Sequence, residues 1–97
     1  CGKYYMKQYT YTILKVTKNC EFAFFKCSNG DYGVLEPQNC EVAEGDILQS
    51  IDKKTMPRCG VQFLALNGKT TVKVYVDDLD FKEGAYNHFN ELVNRYV

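Results

Sequence analysis

The residues of this 97-residue chain best equipped for chemistry are its rings and its cations: eight Tyr, six Phe and no Trp, with twelve Lys and Arg. Tyr9, Tyr11, Phe22, Phe24 and Tyr32 fall in or beside short strand-like runs, with Lys15 and Lys26 interleaved. Such a set could stack the bases of a single-stranded nucleic acid while ammonium groups meet its phosphates. A second basic element, Lys53, Lys54 and Arg58, flanks Met56-Pro57 in a stretch of loop composition, which reads either as a solvated loop or as an anion site. The charge balance opposes the nucleic-acid reading. Twelve Asp and Glu offset the twelve basic residues, so no global field draws a polyanion, and the rings are then the filling of a small barrel core.

Other chemistry has less support. Asp77, Asp78, Asp80 and Glu83 form an acidic corner, but they lack the alternating ligands, central Gly and distant bidentate Glu of a calcium loop. Charge complementarity with a helix N-terminus explains them better. His88 is the only histidine and falls outside the apolar stripe of its segment. No nucleophile turn or catalytic triad is marked, and the expectation is a non-enzyme with no cofactor and no metal.

Cys1, Cys20, Cys27, Cys40 and Cys59 are an odd set, a poor fit to a fully paired secreted framework, and free thiols are the plain reading. Cys27 alternates with Phe25 and Ala23, so it should share their face as a small core residue. Cys20 and Cys40 lie at expected strand ends, where pairing is geometrically open but not fixed by spacing. Cys1-Gly2 would suit a lipidated mature N-terminus, whereas Met6-Lys7-Gln8 reads as an initiation point and would make the preceding residues vector-derived. Residues 1–8 are accordingly expected to be disordered or foreign, and membrane contact is expected only through a lipidated Cys1.

The elements that must position these groups follow from period and punctuation. Residues 9–16 are rich in aromatic and β-branched types and form a first strand, with Tyr9, Tyr11 and Ile13 on one face. Residues 21–27 and 32–35 are the second and third, joined through Ser28-Asn29-Gly30-Asp31 as an antiparallel hairpin. Pro37 has no ladder donor and is expected to end the third strand, with 36–39 a loop and Cys40 to Ala43 a short edge segment. Glu44-Gly45-Asp46 is a turn into a strand at 47–51, and 52–60 is a loop. Asn67-Gly68 between alternating runs is the strongest hairpin signal in the chain, joining 61–66 to a strand ending at Val76. The final segment changes to helical period, with Ala85, Tyr86, Phe89, Leu92, Val93 and Tyr96 on one stripe, and predicts a helix over 82–95. Asp80 and Glu83 resemble a capping box, and Gly84 in the first turn weakens it.

The motifs Phe24-Phe25-Lys26, Gly30-Asp31-Tyr32-Gly33-Val34-Leu35-Glu36 and Glu44-Gly45-Asp46-Ile47-Leu48 resemble those of small uncharacterised bacterial proteins, and the pattern is similar to part of an OB-type barrel. The resemblance spans about half the chain and lies in turn signatures. Gln49-Ser50 departs from it where another Gly is common, and so does a helix placed after all the strands. What it implies is architecture and, by analogy, oligonucleotide binding.

Together these readings predict one domain over residues 1–97, mainly β with one C-terminal helix: a small antiparallel curled sheet or OB-like barrel with the helix packed at one end. The expected function is a non-catalytic interaction module that docks another protein through a sheet edge or a helix face, in the cytoplasm or, alternatively, anchored by lipid at the cell envelope. The alternative function is single-stranded nucleic-acid binding by an OB-like aromatic face.

Overall fold

The structure, a computed structural model, describes residues 9–39, 41–51, 57–80 and 82–96, with the Tyr96 side chain left out. Six strands, β1 (Thr10–Val16), β2 (Ala23–Cys27), β3 (Tyr32–Pro37), β4 (Ile47–Ser50), β5 (Gly60–Leu66) and β6 (Thr70–Asp80), precede one helix, α1 (Lys82–Tyr96). The strands close into a barrel in the order β1-β2-β3-β6-β5-β4, and every pairing is antiparallel. The predicted β-rich class with a single terminal helix is the observed one.

Inward residues follow the period of two. Tyr11, Ile13, Ala23, Phe25, Cys27, Leu35, Leu48, Leu64, Val72, Val74 and Val76 fill the barrel and are essentially buried. The face of β2 and β3 that points away from them carries Phe22, Phe24 and Val34, and these pack under Ala85, Phe89 and Leu92 of α1. The wall thus separates two apolar cores, one inside the barrel and one beneath the helix. This explains why β2 reads as a nearly continuous aromatic run instead of an alternating strand.

Two bulges set the phase. On β1 the pairing with β2 steps from Ile13 opposite Phe25 to Lys15 opposite Phe24, leaving Leu14 as the extra residue. On β6 the pairing with β3 steps from Val76 opposite Leu35 to Asp78 opposite Val34, leaving Asp77 extra. After each bulge the alternation restarts one residue later, so Val16 and Leu79 turn to the core while Lys15 and Asp78 do not. Strict alternation over 9–16 had placed Val16 with Leu14 on the other face. The bulge at Leu14 corrects that.

Three boundaries also differ from expectation. Pro37 remains in β3, buried and paired with Val74, because a proline at the last position of a strand forfeits one donor and no more. Glu41 to Ala43 form no strand, although Val42 is buried in the barrel core, and Cys40 lies outside the described residues. Asp77 to Asp80 are not a corner between strand and helix; they continue β6 alongside β3. The Asp80 carboxylate lies where a Cβ of residue 84 would stand, so Gly84 opens room for it at the start of α1.

Candidate interaction surfaces

The barrel wall presents two surfaces of opposite character. The first is the outer side of β4, β5 and β6. Register places Val61 opposite Tyr75, and Phe63 opposite Lys73; Gln49, opposite Ala65, is flanked on β4 by Ile47 and by Ile51 just past the strand end. Of these, Ile47, Ile51, Val61, Phe63 and Tyr75 are large apolar side chains exposed to solvent, Phe63 most of all at 58%. Only Leu14 and Tyr86 are comparably exposed elsewhere among the described residues. Five large apolar side chains exposed on three neighbouring strands go beyond the singly scattered apolar residues that are ordinary on a protein surface.

A cleft of about 370 Å³ borders this patch, lined by Glu36, Pro37, Gln38, Val61, Lys73, Val74 and Tyr75. Glu36 is opposite Tyr75 in the ladder, and it neighbours the bulged Asp77. The hydrogen bond to the Asp77 carboxylate, burial and the like charge together push Glu36 up to about 7. Asp77 Oδ2 is itself enclosed with no hydrogen-bond partner. Asp77 follows the inward Val76 and so shares the outer face of the wall with Tyr75 and its partner Glu36, which sets the two carboxyls side by side.

The second surface lies on the outer side of β1 to β3 and the first turns of α1. Phe24 is its centre, stacked on Tyr32 at 5.9 Å and 19°, edge-on to Tyr86 at 5.6 Å and 61°, and tilted against Phe89 at 5.7 Å. Lys15 Nζ lies 5.3 Å from the Tyr86 ring, Lys26 Nζ 5.7 Å from the Tyr32 ring, and Lys82 Nζ 6.0 Å from that same ring. Three ammonium groups over two accessible rings can hold a flat anionic ligand through stacking and charge together.

The residues expected to bind therefore separate. Lys15, Lys26 and Tyr32 come together around Phe24, whose own ring is only 3% exposed and supports the cluster from below. Phe22 is buried under the helix, and Tyr11 is 1% exposed inside the barrel, edge-on to Phe25, so neither can present a face to a base. Tyr9 is half-buried against the barrel core; its amide donates to Ser50 Oγ at 3.1 Å and its carbonyl accepts from the Ser50 amide at 3.0 Å. Arg58 is exposed, away from the lysine cluster in sequence and register, with its carbonyl accepting from Gln62 Nε2 at 2.6 Å. Lys53 and Lys54 lie outside the described residues. Tyr86 and Lys82 were missed because they belong to the helix. Only the contact of α1 with β2 and β3 brings them to the strand lysines.

The interior holds groups that the surfaces do not use. Burial pushes Tyr11 up to about 12, reinforced by nearby Cys27 and Tyr9 and opposed by Arg58, and its hydroxyl has no hydrogen-bond partner. Burial likewise raises the Cys27 thiol. Cys27 and Cys59 are free thiols, whereas Cys20 is disulfide-bonded, so its partner falls outside the described residues. No described cluster of three or more His, Cys, Asp or Glu side chains could hold a metal ion, and no described helix is long and apolar enough to cross a membrane.

The closed order of strands alters the expected docking geometry. All six strands have neighbours on both sides, and strand ends alone run past a neighbour, among them Glu36 and Pro37 of β3 beyond β2 and residues 77–80 of β6 beyond β5. The apolar face of α1 is already spent on Phe22, Phe24 and Val34. Exposed apolar surface is instead concentrated on the flat of the wall, over β4 to β6. Compared with protein-family models, with curated proteins and with solved structures, the chain matches none.

Proposed function

We propose that this chain is a non-catalytic interaction module that docks another protein through the outer face of β4, β5 and β6. The observation that carries the reading is the grouping of Ile47, Ile51, Val61, Phe63 and Tyr75 on one side of the wall, with Phe63 more than half exposed. Leaving such a patch in water forgoes about 25 cal/mol for each Å² that a partner could cover. A photo-crosslinking residue in place of Phe63, compared with one at the exposed Glu91 of α1, tests it in extracts of the native host. A discrete adduct at 63, absent at 91 and lost with Val61→Asp, is expected. The same adducts at both positions would end the reading.

A second reading is supported by the Lys15, Lys26 and Lys82 cluster over Tyr32 and Tyr86: binding of single-stranded nucleic acid on the outer face of β1 to β3. The OB-like resemblance belongs to this reading, with the difference that six strands stand where an OB-type barrel has five. With no Trp in the chain, tyrosine emission reports stacking on Tyr32 and Tyr86. Mixed single-stranded DNA or RNA should quench it at low salt, less so as salt rises, and less in Tyr86→Ala. A flat titration at low salt removes this reading.

The disulfide at Cys20 supports an oxidising compartment, the setting of the lipid-anchored alternative, over the cytoplasm. Membrane attachment itself would depend on Cys1, which lies outside the described residues.

A further inference from the structure

We infer that the cleft on the outer side of the β1–β2 pair is a phosphate subsite, and that its ligand is a nucleotide whose base lies on Tyr32; this rests on the nucleic-acid reading above and fixes where that ligand's phosphate goes. Two outward residues of β1 and two from β2 and its end frame the cleft. Thr12 is opposite Lys26 in the ladder. Thr10 is joined to Ser28, whose Oγ accepts from the Thr10 amide at 3.1 Å and whose amide donates to the Thr10 carbonyl at 2.8 Å. Thr10 and Thr12 stand on either side of the inward Tyr11, and Lys26 stands between the inward Phe25 and Cys27, so the alternation turns them to the outside of the wall. The result is a block of three hydroxyls and one ammonium.

These four residues, with Cys27 and Gly30, line a cleft of about 460 Å³. Among the described residues no carboxylate lines it. Asp31, the nearest acid in sequence, is held in its own turn, where its Oδ2 accepts from Asn29 Nδ2 at 3.2 Å. Asp80 is opposite Tyr32 on β6, two strands away from Lys26. A recess with an ammonium, several hydroxyl donors and no acid takes an anion, and a phosphate has enough oxygens to meet donors from both strands at once. Lysine suits it as a compact point charge. Ser28 is already set for the role: its oxygen accepts from the Thr10 amide, and its hydroxyl hydrogen remains to be donated.

The ladder ties this cleft to a ring. Lys26 is opposite Thr12 on one side and opposite Tyr32 on the other, and its Nζ lies 5.7 Å from the Tyr32 ring. Thr12, Lys26 and Tyr32 thus form one row across three strands, about 10 Å from the first backbone to the last. A single nucleotide spans such a row, with its base on Tyr32, its phosphate among the hydroxyls and the Lys26 ammonium between them. Inorganic phosphate would fill only one end of the row, and an uncharged nucleoside only the other.

Amide NMR of the full chain at low salt, titrated separately with thymidine monophosphate, thymidine and inorganic phosphate, tests this. The monophosphate is expected to shift Thr10, Thr12, Lys26 and Ser28 together with the Tyr32 ring. It should bind roughly tenfold or more tighter than thymidine and lose most of that advantage in Lys26→Gln. Thr12→Val keeps a β-branched side chain and removes one hydroxyl; it is expected to weaken the monophosphate roughly threefold to tenfold and to leave thymidine unchanged. Thermal melts of both variants establish that they fold, which outward positions should permit. Equal binding of thymidine and its monophosphate, a preference untouched by Lys26→Gln, or cleft shifts with none at Tyr32 would overturn the inference, as would silence from all three probes up to about 10 mM. The strand titration described above separates this site from strand binding. Quenching by single strands that leaves Thr10, Thr12 and Ser28 unshifted removes the phosphate subsite alone, whereas a flat strand titration with the monophosphate still bound removes strand binding and leaves a nucleotide site.

Discussion

Asn67 donates from Nδ2 to Asp46 Oδ1 at 3.2 Å, joining the β5–β6 hairpin to the turn that opens β4. Asn67 Oδ1 also accepts from the Ile47 amide at 3.0 Å, and its own amide donates to the Ile47 carbonyl at 2.8 Å. Asp46 completes its turn by accepting from the Ala43 amide through Oδ2 at 2.9 Å. The side chain and the backbone make separable contributions here, because Asn67 and Gly68 both have positive φ, 51° and 73°. Asn67→Gly keeps the conformation and loses the side-chain bonds, and is expected to cost about 1–2 kcal/mol. Asn67→Ala adds the strain of a left-handed residue and is expected to cost about 1 kcal/mol more. Urea unfolding of both variants checks the order; equal losses would mean that φ contributes nothing.

How far the fold was legible follows from residues such as these. Asn67-Gly68, Gly30 and Gly45 each mark a position that only certain residues tolerate, so the three turns could be read directly. The contact between Asn67 and Asp46 could not, since it depends on β4 and β5 being neighbours. Val16 was misplaced, and Asp77 to Asp80 were read as a corner, for a related reason: a bulge is decided by two strands, and one strand alone shows only an interrupted alternation. The interruption was nonetheless visible. Ile13-Leu14-Lys15-Val16 and Val76-Asp77-Asp78-Leu79 both set core residues three apart within a strand, a spacing that period two forbids unless a residue is extra. For the surfaces, the rings of β2 were found in sequence, but which of them faced solvent depended on where α1 lay.

Gly33 is enclosed between neighbouring strands, opposite Phe25 on β2 and Leu79 on β6. A Cβ there would overlap the Asp78 carbonyl oxygen and come within 2.6 Å of Phe25 Cζ. Gly33→Ala is therefore expected to destabilise the barrel by about 2–3 kcal/mol, although alanine suits a strand no worse than glycine does. The measurement is the shift of the denaturant midpoint at unchanged slope. An unshifted midpoint would mean that β3 can move away from β6 freely.

Tyr11 is the largest fully buried side chain among the described residues, and its hydroxyl has no hydrogen-bond partner in the barrel. The ring earns its place through packing, including the edge contact with Phe25 at 5.3 Å. Removing the oxygen alone should then help: Tyr11→Phe is expected to stabilise by about 1 kcal/mol, which for a domain of this size raises the melting temperature by about 4–8 °C. Tyr11→Ala, by contrast, empties the core and is expected to cost about 3–5 kcal/mol. A melting temperature lowered by Tyr11→Phe would reveal an ordered water or another acceptor at the hydroxyl.

Glu36 gives the barrel a pH dependence of unusual direction for a carboxylate. Held at about 7 by Asp77 and by burial, it keeps its proton in the folded state across a range where the unfolded chain, near 4.5, has already released it. The folded state binds more protons there, so its stability falls as pH rises through that window. The contribution is fully present below pH 4.5 and is lost as pH passes 7. Glu36→Gln removes the titration, and Asp77→Asn removes its first cause. Subtracting the melting-temperature profile of Glu36→Gln from that of the native sequence should leave a curve that declines with pH across this interval. The same residue can be followed through its side-chain carboxyl carbon by NMR, where the midpoint should stand near 7 and move down toward the ordinary glutamate range in Asp77→Asn. A native midpoint near 4.5, or one unmoved by Asp77→Asn, would show that the two carboxyls are not in contact in solution.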